Sequence, residues 1–144
     1  NVNSFRRMRP DFSAPINLQW GYDNRSCGLR VPISQSENRR IENRLPGADA
    51  NPYLAIAAVL VCGYIGIRDK IAPSEMVQGS AYKWARTLPR TLREGLDRFQ
   101  KCQPVIDLLG SHFCTAFQQI KDHELGNFDG VISSWERDHL LLKV

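Results

Sequence analysis

Apolar residues in the first fifty positions recur with a period of two. Ile16, Leu18, Trp20 and Tyr22 alternate with Asn17, Gln19 and Gly21, as in a half-buried strand. Cys27, Leu29 and Val31 alternate with Gly28 and Arg30, and Pro32 ends the run. In a third strand Ile41 and Leu45 fall on one face and Arg40, Glu42 and Arg44 on the other. A charged row therefore projects from one side of a sheet, and Arg30 points toward the same side.

Past residue 50 the period becomes helical. Asn51 is a good N-cap and Pro52 suits the first helical turn. The run YLAIAAVLVCGYIGI, residues 53–67, reads as a fully buried core helix, with Gly63 and Gly66 allowing close packing. It falls short of the roughly 20 residues a bilayer needs, and Arg68, Asp69 and Lys70 follow at once; no membrane partner is expected. Residues 68–90 read as a loop. Thr91 with Glu94, and Ser133 with Glu136, have capping-box spacing. Leu92, Leu96 and Phe99 share one helix face. Gly110 stops a helix, Ser111 restarts one, Phe113, Phe117 and Ile120 are spaced as core contacts, and Gly126 is expected to end that helix.

The pattern predicts a strand-rich part, residues 1–50, then a helical part, residues 51–144. A chain of 144 residues with 42% hydrophobic content is one domain's worth. Because it opens on Asn1, it is expected to be the C-terminal portion of something longer. The four cysteines, Cys27, Cys62, Cys102 and Cys114, form neither a zinc pattern nor a dense disulfide framework. Cys27 and Cys62 read as small buried hydrophobes, and the usage suits a reducing cytoplasm. His112 and Cys114 would sit on different helix faces, which argues against a metal site there. His112, His123 and His139 read as surface or structural residues.

Charge changes the picture. The first 44 residues hold eight arginines, no lysine and four acids, an excess equal to the whole formal net charge of +4. Arginine used so exclusively suggests fork-shaped recognition of phosphate or carboxylate, against the plainer reading of a solvated strand face. An ion-pair ladder around Glu42 accounts for part of the row. It leaves Arg7, Arg25 and Arg30 without acids to balance them, which points to an anionic ligand.

Four strings carry a resemblance: NSFRRM at 3–8, NRSCGLRVP at 24–32, RRIENRLPG at 39–47 and ADANPYLA at 48–55. In this order and spacing they resemble the C-terminal part of the catalytic domain of the glutamine synthetase family. That likeness implies an α+β fold with N-terminal antiparallel strands, residues 15–46 forming part of a mixed sheet. The resemblance implies that Arg7 and Arg44 bind the glutamate substrate. It implies that Arg25 contacts phosphate and stabilises phosphoryl transfer, that Arg30 and Arg40 lie against the nucleotide phosphates, and that Glu42 is a ligand of a divalent metal. The implied cofactors are ATP and Mg2+ or Mn2+, and the implied reaction phosphorylates the γ-carboxylate of glutamate before an amine displaces phosphate. A homo-oligomeric ring in the cytoplasm, with sites between subunits, also follows from the resemblance. One glutamate is too few for the metals, so the other ligands are expected upstream, and the chain alone is expected to be inactive.

One departure bears on the substrate. Ammonia-using members carry a glutamate just before Ala-Pro in the loop after the arginine string; here the loop reads MRPDFSAP, with Ser13 at that place. A serine lacks the charge that attracts ammonium, and Asp11 substitutes only if the loop is rearranged. The loop resembles most the γ-glutamylpolyamine synthetase branch, which implies an organic amine acceptor. Tyr82, in SAYKWARTLP, lacks the context of the family's modifiable tyrosine, so adenylylation is not expected. The alternatives are an ammonia-using glutamine synthetase, a non-catalytic relative, and a nucleic-acid-binding module. The last is disfavoured because aromatics do not interleave the arginines and Glu42 would repel a phosphate backbone.

Overall fold

The computed structural model describes residues 1–10 and 13–143. A short helix α1 (Val2–Arg6) precedes strands β1 (Trp20–Tyr22), β2 (Leu29–Val31) and β3 (Glu42–Asn43). Helices α2 (Pro52–Arg68), α3 (Leu92–Gln100), α4 (Gln103–Leu109), α5 (Ser111–Asp129) and α6 (Ser134–Leu140) follow. The class is α+β, with a mixed sheet in the order β1-β2-β3.

The antiparallel expectation holds for β2 and β3, where Arg30 faces Glu42. It fails for β1 and β2, which run parallel with Trp20 opposite Leu29. The connection at residues 23–28 coils back instead of making a hairpin. Asp23 adopts φ +43°. The Asn24 carboxamide oxygen accepts from the Ser26 amide (3.1 Å) and hydroxyl (2.6 Å). The chain then returns beside the start of β1, and the Leu29 amide donates to the Gln19 carbonyl.

The buried face of β1 is the reverse of the one expected. Ile16 is buried, but Leu18 and Tyr22 are exposed, whereas Asn17 is fully buried and Gly21 is buried. Backbone chemistry decides this. The segment at residues 74–80 lies against β1, with the Val77 amide donating to the Trp20 carbonyl and the Trp20 indole to the Ser74 carbonyl. The Val77 carbonyl oxygen sits 2.9 Å from where a Gly21 Cβ would be, so only glycine admits it. Asn17 is tolerated inside because its amide donates to the Ala81 carbonyl at 2.9 Å.

Helix α2 starts as expected, with the Asn51 side chain accepting from the Tyr53 and Leu54 amides. It is not a buried core helix. Tyr53, Ile56, Leu60, Tyr64 and Ile67, spaced as one helical stripe, are all exposed, Ile67 to 81%. Cys62 is exposed too, against expectation. Nothing approaches Gly63 or Gly66, so they serve no close packing here. The physical reason is that α2 packs on α4 alone among the described elements in strength, and one short helix cannot cover both its faces.

The compact core lies instead where α1, α3 and α5 meet. Leu92, Leu96 and Leu125 are buried together, with Val2, Phe5 and Phe117 against them. Phe5 approaches Gly95 so closely that a Cβ there would meet its ring at 2.9 Å. Phe113 stacks on Phe117 but is largely open, and Ile120 is exposed. The capping box at Ser133 forms as spaced. At α3 the Thr91 hydroxyl accepts from the Glu94 amide, while Glu94 reaches back to the Arg90 amide, one residue earlier than a capping box requires. Helix α5 does not stop at Gly126; it continues to Asp129 and is capped by Gly130. No helix of the described residues is long and apolar enough to cross a membrane.

Two outcomes follow. Leu96→Ala should lower unfolding free energy by about 2–5 kcal/mol in urea titrations, as for other buried leucines, while Ile120→Ala should stay within about 0.5 kcal/mol. The 144-residue chain should bind a hydrophobic dye in its native state, and the double variant Ile56→Glu, Leu60→Glu should bind clearly less.

Candidate functional site

The site is assembled from three places: the exit of α1, the facing strands β2 and β3, and the turn around Arg25. Helix α1 is N-capped by the Asn1 side chain, docks through Val2 and Phe5, and is stitched to the 47–49 turn by a Ser4 hydroxyl donating to Asp49. That bond is the main reason the Asp49 carboxyl is held below its ordinary range. Arg7 is the residue that leaves the helix. Its Nη2 donates to the carbonyls of Arg44 (3.3 Å), Leu45 (2.9 Å) and Pro46 (3.2 Å), and its Nε is buried without a partner.

The β2–β3 register sets the charged row. Arg30 faces Glu42, and Arg30 Nη1 donates to Glu42 Oε2 at 2.8 Å. Arg30 Nη2 donates to Asp23 at 2.8 Å. Arg40 reaches Glu42 Oε1 from the other side at 3.5 Å. The Arg30 hydrogen bond is the main cause that holds the Glu42 carboxyl below its ordinary value, aided by the charges of Arg30, Arg40 and Arg44. Reciprocally, Glu42 raises the Arg30 guanidinium. Glu42 is thus ionised and neutralised by cations on both oxygens.

Arg44 closes the arrangement. One amino group donates to the carbonyls of Arg25 and Cys27, and the other to the Ser13 carbonyl at 2.9 Å. Ser13 itself adopts φ +50°, a conformation L residues seldom hold. Asp11, the other loop residue of interest, lies outside the described residues. Arg25 has an exposed side chain beside a shallow groove of about 350 Å3, which Asn24, Met76 and Gly79 also line.

All six residues expected at the site are therefore tied into one neighbourhood. Arg30 and Glu42 face each other across β2 and β3. Arg40 and Arg44, expected in the same strand, instead flank the two-residue β3. Arg40 reaches Glu42, and Arg44 is turned to the Ser13, Arg25 and Cys27 carbonyls. Arg25 is held by its carbonyl, and Arg7 grips the backbone of residues 44–46. Glu42 offers a hard carboxylate oxygen suited to a divalent cation. No group of three or more histidines, cysteines, aspartates or glutamates that could hold a metal occurs among the described residues. His112, His123 and His139 are exposed and distant in sequence from the row. The Tyr82 hydroxyl is enclosed without a hydrogen-bond partner, and burial raises its pKa.

Two organising residues escape sequence reasoning. Asn24 holds the Arg25 turn, its amide donating to the Gly79 carbonyl at 2.7 Å. Its position two before Ser26 is an Asx-turn signal that the string NRS carries. Arg86 donates to the Met8 carbonyl from 78 residues away, and no local pattern announces such a bond.

The sequence matches the family model described as the catalytic domain of glutamine synthetase over residues 1–140. It is 35% identical to a glutamine synthetase of Thermus thermophilus, over 97% of this chain and 33% of that protein. It is 36% identical to a gamma-glutamylethanolamide synthetase of Streptomyces coelicolor, over 94% of this chain and 29% of that protein. A glutamate–isopropylamine ligase of a Pseudomonas species is also 36% identical, over 94% of this chain and 30% of that protein. A solved chain described as a GmaS/ADP complex superposes with a TM-score of 0.79 at 28% identity, covering 90% of this chain and 30% of that one. The chain spans about a third of the length of these relatives. A match over nearly its whole length, with the same fold beneath it, makes the chain a member of the glutamine synthetase family.

Proposed function

We propose that the chain is the C-terminal portion of the catalytic domain of an ATP-dependent glutamate–amine ligase that acts through a γ-glutamyl phosphate. The single observation that carries the reading is the register of Arg30 against Glu42, which gathers guanidiniums and one ionised carboxylate into a row beside Arg44. Phosphoryl transfer asks a protein mainly for positioning and charge neutralisation, and that row offers both. A divalent cation, Mg2+ or Mn2+, would supply neutralisation of phosphate oxygens, with Glu42 as one ligand.

The chain's own residues have these roles. Arg30 and Arg40 turn toward nucleotide phosphates and release part of their hold on Glu42. Arg25, fixed by its carbonyl with its side chain free at the groove, meets the charge that develops on the transferred phosphoryl group. Arg7 anchors itself through Nη2 and offers its other amino group to a glutamate carboxylate. Arg44 takes the second contact from the end of the row. A ring of identical subunits would bring the remaining groups to the site. The ADP complex of a structural neighbour supports the nucleotide assignment.

For the acceptor, we favour an organic amine. The relatives include both glutamine synthetases and ligases of larger amines. What supports the preference is Ser13, which stands in the sequence where the resemblance puts a glutamate in ammonia-using members and which lacks the charge that attracts ammonium. The alternative is an ammonia-using glutamine synthetase.

Steady-state assays of the complete gene product with ammonium, monoamines and putrescine should give the higher kcat/KM for an organic amine; a clear advantage for ammonium would sink the acceptor assignment. Arg25→Ala should lower kcat by roughly 10³-fold or more, with folding unchanged by circular dichroism. Carboxyl NMR titration should place the Glu42 midpoint below its ordinary value of 4.5, and Arg30→Met should move it back up. Since the folded value is the depressed one, the ion pair contributes stability above the ordinary glutamate range. That contribution is lost as pH falls through the folded midpoint.

A further inference from the structure

All four cysteines are free thiols, and two of them lie on the elements that meet where α4 packs on α2. Cys27 is wholly enclosed and Cys114 is buried, whereas Cys62 is exposed and Cys102 half-buried. At about 100° per residue, Cys62 falls between Ile65 and Gly66 around the axis of α2. Both of those neighbours are half-buried, and the open stripe from Tyr53 to Ile67 runs along the opposite side. Cys62 therefore stands on the covered face of α2, and α4 is the main helix packed on α2.

Cys102 answers it from the start of α4. Cys102, Val105, Ile106 and Leu109 are the half-buried residues of that segment, and their spacing of three and four makes one helical face. The Cys102 backbone is fixed on both sides. Its amide donates to the Phe99 carbonyl at 3.0 Å, and its carbonyl accepts from the Val105 and Ile106 amides, both at 3.1 Å. Its side chain makes no capping hydrogen bond, so α4 does not hold the sulfur. Farther along the two helices, the Arg68 guanidinium is raised mainly by its hydrogen bond to Asp69, and the charge of Asp107 on α4 adds to that. Cys62 precedes Arg68, and Cys102 precedes Asp107, by similar lengths of chain, which sets the two cysteines beside each other. The Cys62 thiol is pushed up first by burial and then by the charge of Cys102, as neighbouring thiols require.

We propose that Cys62 and Cys102 are an oxidation site that closes reversibly into a disulfide between α2 and α4, with a low-molecular-weight disulfide as the oxidant. One cysteine thiolate attacks the S–S bond of the oxidant, forming a mixed disulfide and expelling one small thiolate. The other cysteine then gives up its proton and attacks the protein-bound sulfur, expelling the second. Two protein thiols and one small disulfide become one protein disulfide and two small thiols, which take up the two protons. The bond closes the loop that carries α3 and ties α2 along its covered side. It uses none of the residues of the charged row and is independent of the ligase reading.

The test treats the complete gene product, under native conditions, with oxidised glutathione and maps its disulfides by mass spectrometry after non-reducing digestion. The expected result is the loss of both thiols into one link between the peptides holding Cys62 and Cys102, undone by dithiothreitol. Cys27 and Cys114 should remain free thiols. A disulfide needs Cα atoms about 4.4–6.8 Å apart, so the link forms only if α2 and α4 stand within that reach. Cys102→Ser should leave Cys62 carrying glutathione with no link, and Cys114→Ser should leave the link intact. Separate glutathione adducts on Cys62 and Cys102 of the parent protein, a link from either to any other cysteine, or two untouched thiols would overturn the proposal.

Discussion

Guanidinium groups holding backbone carbonyls are the constraint on which the site depends. Arg7 takes the carbonyls of residues 44–46, Arg44 takes those of Ser13, Arg25 and Cys27, and Arg86 takes that of Met8. Irregular backbone cannot satisfy its own carbonyls, and leaving them unpaired inside a protein is costly. Each such bond to a charged donor is worth roughly 1.5–3 kcal/mol when well formed. The bonds are also chained. Arg7 fixes the carbonyl of Arg44, and the Arg44 side chain fixes the loop and the turn on either side of it. Removing one member loosens the next.

The need for this arrangement follows from the sheet. Its strands are two or three residues long, and three such strands have little stability of their own. Most of the region between α1 and α2 is loop, so regular pairing cannot position the charged side chains. What positions them is the Arg30–Glu42 register, the Asn24 turn, and the guanidinium bonds. The small helical core contributes at one point, where Phe5 seats α1 against Gly95, and Arg7 at the end of α1 reaches the carbonyls of residues 44–46 just past β3. Among the described residues, apolar side chains stay open along α2, at Leu18 and Tyr22, and around α6 at Val131, Ile132, Trp135 and Leu141.

Much of the helical part was legible because its signals are local. The Asn51 cap, the Gly110 break and the Ser133 capping box each depend on residues within one turn, and each appears where the spacing placed it. Gly126 misled because a single helical glycine costs too little to end a well-packed helix. Of the charged row only the pairing of Arg30 with Glu42 forms in the sheet; the two-residue period at 40–45 does not extend the strand beyond Glu42–Asn43, and Ile41 is exposed. Burial was less legible. Apolar alternation at residues 16–22 named a face, but the 74–80 segment covers the opposite one, and no short-range pattern encodes that crossing.

Residue order alone determined the family strings, the helix caps and the set of arginines with Glu42, because these are properties of neighbouring residues or of motif spacing. Tertiary structure alone decided that β1 runs parallel to β2, that Asn17 is inside and α2 is bare, and that Arg7, Arg44 and Arg86 spend donors on carbonyls. Those outcomes depend on contacts between residues dozens of positions apart, such as Arg86 with Met8 and Asn17 with Ala81. An arginine in a sequence shows five donors and one charge; only the fold determines which acceptors come within reach.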